Sequence, residues 1–235
     1  MQKKVTKKLH YFGQNVNSYK GRENYGFADL LRDVQKIDGI EIIKFISPHP
    51  KDFTDDVIQA IKDCDKVSRI LHLPLQSGST EILRKMNRKY TKEQYLELVK
   101  KIRDRIPGVV FSTDIIVGFP EETEEDFEDT LDVVDKVKFE QVFMFIYSRR
   151  VGTPADKMEN QVPEEIKHRR TRELIELGNR LEESFVKSIE GTVQTVLFER
   201  SDGNCAEGYT QHYVRVCAPA AAGSLVQVWI SRTDG

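Results

Sequence analysis

Between about residues 5 and 150, short β-rich runs alternate with amphipathic helical stretches, and this order of periods limits what the chain can become. The β-rich runs are at 5–12, 41–47, 69–73, 109–117 and 141–147. Between them, apolar residues recur every three or four positions: Phe27, Leu30, Leu31 and Val34; Val57, Ile58 and Ile61; Tyr95, Leu98, Val99, Ile102 and Ile106; Phe127, Leu131, Val134 and Val137. Strands separated by helices cannot pair as hairpins, so the crossovers must be right-handed and the sheet parallel. The helix starts are signalled too. Thr91 with Gln94 reads as a capping box, and Thr123 with Glu124, Glu125 and Asp126 sets a cap and acids at the positive end of the next helix. Five β/α units are too few for a closed barrel, and the chain opens directly on a strand. The expectation is an α/β partial parallel (β/α) barrel whose first unit is missing.

After Pro154 the pattern changes. Pro163, Glu164 and Glu165 open a long helix with an apolar stripe of Ile166, Leu174, Leu177, Leu181, Phe185 and Ile189, which reads as a connector. From Gly191 on, short β runs at 192–199, 206–210, 213–217 and 225–230 are split by turn residues, the pattern of a small antiparallel β-barrel. The expected domains are therefore 1–160, 161–190 and 191–235. With 39% hydrophobic and 31% charged residues and a net charge of −2, the chain has the balance of a soluble globular protein. No apolar run approaches the roughly 18 residues of a membrane helix, and the early lysines are not followed by the apolar segment of a secretion signal. Cys64, Cys205 and Cys217 are too few and too scattered for a disulfide framework or a zinc knuckle. They are expected to be small buried hydrophobes in a reducing cytoplasm.

In parallel α/β architectures, functional groups gather at the carboxyl ends of the strands. Here those ends are 13–19, 47–50, 72–79, 118–123 and 148–154, rich in amides, hydroxyls, glycine and proline. Such groups suit binding a polar cofactor better than proton transfer. Alternation along 109–117 puts Ser112 and Asp114 on one face, and an inward Asp needs a ligand, a neighbouring Lys or Arg, or a backbone N–H. His49 and His72 lack a second ligand at metal-binding spacing and read as imidazoles hydrogen-bonded within the site or core. Glu165 with His168 reads as a solvated helix face, and no metal site is expected. There is no Walker loop, dinucleotide fingerprint or nucleophile elbow. Cations that could meet phosphates are Arg84, Lys85, Arg88, Lys89 and Lys92, then Arg149 with Arg150, then Lys167, Arg169, Arg170 and Arg172, most of them expected to be balanced by nearby glutamates. Tyr209, His212, Tyr213 and Arg215 could stack on bases.

The motifs GQNVNSY at 13–19, HLPLQSGS at 72–79, KMNR at 85–88, DIIVGFP at 114–120 and YSRRVGT at 147–153 together resemble the radical S-adenosylmethionine methylthiotransferases. Within these, the chain is most similar to the MiaB-like family, which acts on isopentenyladenosine beside the tRNA anticodon. The tail, with VLFE at 196–199 and EGYT at 207–210, resembles the RNA-binding TRAM barrel, nearer in flavour to the threonylcarbamoyladenosine branch. The resemblance implies a radical-SAM partial barrel that binds S-adenosylmethionine, 4Fe–4S clusters in the complete enzyme, and tRNA as partner. It assigns Gln14, Gln76, Ser112, Asp114 and Tyr147 to the S-adenosylmethionine pocket, with Phe119 and Pro120 shaping a turn beneath the adenine. It assigns Arg149, Arg150, Tyr209, Tyr213 and Arg215 to RNA. The family's Cys-x-x-x-Cys-x-x-Cys loop is absent, so the chain resembles the carboxyl-terminal portion of such an enzyme, expected to be monomeric, cytoplasmic and inactive alone. No residue is expected to be catalytic in the acid/base sense.

Two other readings compete. An RNA-binding remnant without cofactor chemistry would bind tRNA in a salt-sensitive way but not S-adenosylmethionine. An aldolase-like barrel would need a Schiff-base lysine or metal ligands at a strand end, and neither is seen.

Overall fold

The computed structural model describes residues 7–11, 13, 15–46, 48–201 and 205–231. Five parallel strands follow one another across the α/β part: β1 (Lys8–Tyr11), β2 (Ile42–Phe45), β3 (Ile70–His72), β4 (Val110–Val117) and β5 (Gln141–Ile146). β1 pairs with β2, and β3, β4 and β5 pair in that order, all parallel. The two pieces join where Ile43 N–H donates to Lys66 O at 2.7 Å and Ser68 N–H donates to Ile43 O at 2.9 Å. Strands in sequence order, linked by crossovers of one hand, put their helices on one side and leave the other side open.

Those helices are α1 (Phe27–Val34), α2 (Asp55–Asp63), α3 (Thr80–Lys85), α4 (Lys92–Arg105), α5 (Glu124–Val137) and α6 (Glu164–Ser188). The expected capping box of Thr91 with Gln94 is present, and the expected Thr123 cap forms a second box with Asp126. The core lies between helices and sheet, with Leu31, Ile43, Ile58, Ile61, Leu71, Phe111 and Val134 all inaccessible. Burying side chains of this size contributes roughly 1.5–3 kcal/mol each. The helix expected as a connector also covers the sheet: Leu174 and Leu177 are buried, and Gly178 lies against Val142 and Met144 of β5.

The tail forms β6 (Val193–Ser201), β7 (Ala206–Thr210), β8 (Arg215–Ala218) and β9 (Leu225–Trp229), antiparallel in the order β8-β7-β6-β9. Among the described residues these strands form a four-stranded sheet without a β8–β9 pairing, where a small antiparallel β-barrel was expected. The cysteine expectation is also corrected. Cys64 is fully buried as a core residue, but Cys205 and Cys217 form a disulfide. The cause is register: Cys217 pairs with Glu207, and Cys205 lies two residues before Glu207 on the same face, within cross-strand reach.

This sheet docks at the amino ends of the parallel strands. Lys8 pairs with Glu199 at 2.8 Å, Ser68 Oγ donates to Gln211 O at 3.1 Å, and His212 Nε2 donates to Gly108 O at 3.0 Å. Lys44 Nζ lies 3.8 Å from the centroid of Tyr213, which stacks on Tyr209. Close by, Glu140 is 4% exposed and its Oε2 has no hydrogen-bond partner among the described residues. Burial first, and then Glu182, pushes its carboxyl up to about 8, although Lys44 opposes this. Burial and then Lys8 draw Lys44 down to about 8.

Glu140 is therefore protonated in the folded chain at neutral pH and ionised in the unfolded one. The contribution of Glu140 to stability is then greatest below the unfolded carboxyl range and falls as pH rises toward 8, by about a few kcal/mol. Lys44 has the opposite sign, but its contribution changes only above about 8. Urea unfolding of Glu140→Gln is expected to lose the downward slope between pH 5 and 8. An unchanged slope would show that Glu140 is ionised in the fold.

Candidate cofactor and RNA site

β4 presents two faces. Phe111, Thr113, Ile115 and Val117 are buried toward the helices, where Thr113 Oγ1 accepts from Leu75 N–H at 2.9 Å and donates to Leu73 O at 3.0 Å. Tyr95 Oη reinforces this by donating to Leu73 O at 2.7 Å. Ser112 and Asp114 face the other way. In the parallel register His72 stands level with Ser112, so His72 Nδ1 lies 3.0 Å from Ser112 Oγ and Nε2 lies 3.3 Å from Asp114 Oδ2. A histidine thus partners the inward Asp, where the sequence left a ligand, a Lys or Arg, or a backbone N–H open.

Gln76 prolongs the β3 line along β4. Its N–H donates to Asp114 O at 2.8 Å, and its carbonyl accepts from Ile116 N–H at 2.9 Å. Its φ of 72° lies in the left-handed region, a strained conformation for a side chain of this size. The next three residues turn away from the mouth. Gly78 N–H donates to Thr130 Oγ1 at 2.9 Å and Ser79 Oγ donates to Asp126 Oδ1 at 2.5 Å, so Ser77, Gly78 and Ser79 dock α5.

At the end of β5, Tyr147 N–H donates to Val117 O at 2.8 Å, and the ring meets Phe119 edge-on with centroids 5.3 Å apart. Tyr147 Oη is buried without a hydrogen-bond partner among the described residues. An orphaned hydroxyl of this kind normally signals a missing partner. Lys167 of α6 donates to Tyr147 O at 3.2 Å and lies across Gly118, whose φ is 74° and whose missing Cβ would overlap the Lys167 side chain. Gly118 N–H donates to Glu122 Oε2 at 2.8 Å, and Arg170 Nη1 donates to the same oxygen at 2.8 Å. Burial pushes the Glu122 carboxyl up to about 6 against the pull of Gly118 N–H and Arg170.

Of the predicted pocket residues, Ser112 and Asp114 are brought together by His72, while Gln76 and Tyr147 are tied to β4 through their backbones. Gln14 lies outside the described residues. The predicted RNA residues are not brought together. Arg149, just past β5, is held by Asp156 at 3.1 Å, and Arg150 beside it is exposed. Tyr209 and Tyr213 lie at the opposite end, beneath Lys44, and Arg215 pairs with Glu207. Glu165 and His168 are exposed, as expected of a solvated face. Lys167 and Arg170, which the sequence offered as phosphate contacts, are instead buried within the α6 contact. Sequence reasoning missed His72 as the centre of the polar row. The available signal was its place at the carboxyl end of a strand adjacent to the one carrying Ser112.

A 4Fe–4S cluster does not fit the described residues: Cys64 is enclosed in the core, Cys205 and Cys217 are bonded to each other, and no group of His, Cys, Asp and Glu could hold a metal. The face carrying His72, Ser112 and Asp114, with the Tyr147 hydroxyl at the end of the neighbouring strand, offers donors and acceptors of the kind a polar nucleoside requires.

The chain is 58% identical over 195 residues to a tRNA-2-methylthio-N(6)-dimethylallyladenosine synthase of Clostridium beijerinckii, covering 82% of this chain and 43% of the relative. It is 53% identical over 202 residues to the enzyme of that name from Clostridioides difficile, covering 85% of this chain and 42% of the relative. The chain thus spans less than half the length of these curated relatives. Among solved structures, the Escherichia coli coproporphyrinogen III oxidase HemN, described as a radical SAM enzyme, aligns with a TM-score of 0.46 at 15% identity, over 74% of this chain and 52% of that one. The model of the Radical SAM superfamily matches residues 1–134, more than half of the sequence and the stretch that carries β1 to β4 with the polar row. By that match the chain belongs to the Radical SAM superfamily.

Proposed function

We propose that this chain is the nucleoside-holding and RNA-holding portion of a tRNA methylthiotransferase that acts on an adenosine next to the anticodon, with N6-dimethylallyladenosine favoured over the threonylcarbamoyl type. The observation that carries this reading is the 58% identity to a tRNA-2-methylthio-N(6)-dimethylallyladenosine synthase over 82% of this chain.

In this reading, Ser112, Asp114 and Gln76 bind the polar parts of S-adenosylmethionine. His72 fixes Ser112 and Asp114, and Tyr147 supplies its free hydroxyl. Gln14 belongs to the same set by resemblance. S-adenosylmethionine, when bound, supplies the methyl group and the activating radical. The chain's residues orient it and keep water away, and no step through a cluster is assigned to them. Arg150 and Arg149 would meet tRNA at the mouth. Tyr209, Tyr213 and Arg215 would meet it only through a second surface at the far end of the strands. The tail reads as a TRAM-like module over 191–235, behind a helix at 161–190 and the partial barrel at 1–160. A monomer in the cytoplasm goes with a tRNA substrate.

Calorimetry with S-adenosylmethionine tests this reading, and Tyr147→Phe sharpens it. Removing an orphaned buried hydroxyl is expected to leave the unliganded chain as stable as before, or more stable by up to about 1–3 kcal/mol. Affinity for S-adenosylmethionine is expected to fall about tenfold if that hydroxyl bonds the ligand. Salt-sensitive tRNA binding with no S-adenosylmethionine binding would favour the RNA-binding remnant instead.

A further inference from the structure

The Cys205–Cys217 disulfide closes a covalent ring around the turn by which the β7–β8 hairpin docks. Cys205 stands just before β7 and Cys217 lies on β8, so the ring runs along β7, through residues 211–214 and back along β8. That turn carries three contacts to the α/β part. Gln211 O accepts from Ser68, Tyr213 lies beneath Lys44, and His212 Nε2 donates to Gly108 O while its ring meets Phe185 of α6 with centroids 5.7 Å apart.

The docked turn has a conformation that the backbone rarely adopts unaided. Tyr213 has a φ of 68°, in the left-handed region, which is strained for a bulky side chain. Thr210 supports it: Oγ1 accepts from His212 N–H at 3.2 Å and Val214 N–H at 3.0 Å, and the carbonyl accepts from Tyr213 N–H at 3.0 Å. The two arms themselves are thinly held. β8 is an edge strand of four residues that pairs only with β7 among the described residues, and the buried apolar cluster of this sheet is Val196, Phe198 and Ala206. A hairpin with so little to bury is marginal on its own, so the disulfide is what keeps the turn in its docked shape. Cys217 is exposed, and exposed disulfides are the labile ones.

We propose that Cys205–Cys217 is a redox-active site opened by a dithiol reductant, and that its opening releases the docking turn from the amino ends of the parallel strands. A thiolate of the reductant attacks Cys217 Sγ, the bond to Cys205 breaks, and Cys205 leaves as a thiolate that takes up a proton. The reductant's second thiol then displaces Cys217 from the mixed disulfide. The reductant ends as a disulfide, and the chain gains two electrons and two protons as two thiols. Cys64, enclosed in the core, takes no part.

The test reduces the folded chain with dithiothreitol and then reoxidises it, alongside the double variant Cys205→Ser/Cys217→Ser, which lacks the bond. Thiol counting in denaturant is expected to give one thiol before reduction and three after it. Burial holds the His212 imidazole below its ordinary pKa against the pull of Gly108 O, so NMR titration of this ring reports docking. Reduction is expected to return that titration toward about 6.5 and to speed trypsin cleavage after Arg215 at least about tenfold. Reoxidation should reverse both changes, and the double variant should show both without reductant. The methyl signals of Leu31 and Ile58 should stay in place. Three thiols before reduction, or a bond that dithiothreitol leaves intact, would overturn the proposal. A His212 titration unchanged by reduction would overturn it even with faster cleavage, because the disulfide would then staple a hairpin that stays docked. Loss of the core methyl signals would do the same, by showing global unfolding in place of the release of one turn.

Discussion

Gly78→Ala is expected to be among the most damaging single-methyl additions in this chain. An added Cβ at Gly78 would fall 2.5 Å from Asp129 O and overlap Thr130 Cα, both of them helix backbone that no rotamer change can move aside. The contact is close because three bonds pull the loop onto α5: Gly78 N–H and Ser77 Oγ to Thr130 Oγ1, and Ser79 Oγ to Asp126. Relieving the overlap would break these bonds together and shift α5 away from the sheet, where Phe127, Val133, Val134 and Val137 are buried. Overpacking in cores costs about 1–3 kcal/mol, and rigid backbone on the far side places this case above that range, at about 4 kcal/mol or more. For a chain of this size that lowers Tm by roughly 8–16 °C. Thermal unfolding by circular dichroism reads it directly. Gly78→Ala with Thr130→Gly should recover little, because Asp129 O and the helix backbone remain. A Tm within about 2 °C of the parent would mean that the loop has slack.

That close approach also shows what the sequence could reveal. Alternation and three-to-four spacing are local signals, so all five parallel strands and four of the helices between them fall near their predicted places, whereas the short α3 carried no such spacing; the capping boxes at Thr91 and Thr123 follow from side chains three residues apart. The Ser77-Gly78-Ser79 run looks like a binding loop in sequence because hydroxyls and glycine suit a ligand and a helix backbone equally well. Only the arrival of α5 decides between them. His72 could not be matched to Ser112 and Asp114 without the β3–β4 register, since a one-residue slip would turn it to the helix side. The disulfide has the same cause: Cys205 and Cys217 are twelve residues apart, and only antiparallel pairing of β7 with β8 makes them neighbours. Lys167 and Arg170 looked like surface cations because burial depends on what lies opposite, here Tyr147 and Glu122.

Arg170 leads to the second large effect. It is 3% exposed and reaches three acceptors: Glu122 Oε2 at 2.8 Å, Glu122 O at 3.1 Å, and Glu124 Oε2 at 2.9 Å. Glu122, 5% exposed, also accepts from Gly118 N–H, so the pair fixes the turn that presents Phe119 to Tyr147. Arg170→Met keeps much of the volume beside Phe127 and removes the charge, leaving a buried carboxylate without its counter-ion. Breaking a buried pair from one side costs about 3–5 kcal/mol. The pH dependence separates this cause from lost packing. Because burial already raises the Glu122 carboxyl to about 6, its favourable protonated state fades as pH rises from the unfolded range through 6. Without Arg170 the folded value climbs further, so the deficit of Arg170→Met is expected to be smallest near pH 5 and to grow through neutrality. Adding Glu122→Gln removes the stranded charge and should restore most of the loss at pH 7. Urea unfolding at both pH values decides the matter: a deficit that does not vary with pH, or one that Glu122→Gln fails to reduce, would assign the cost to packing alone. If charge is the cause, and if S-adenosylmethionine binds beside Tyr147 as proposed, its affinity should fall with Arg170→Met and return with the double variant, because the Gly118-Phe119 turn that meets Tyr147 is held by the same contact.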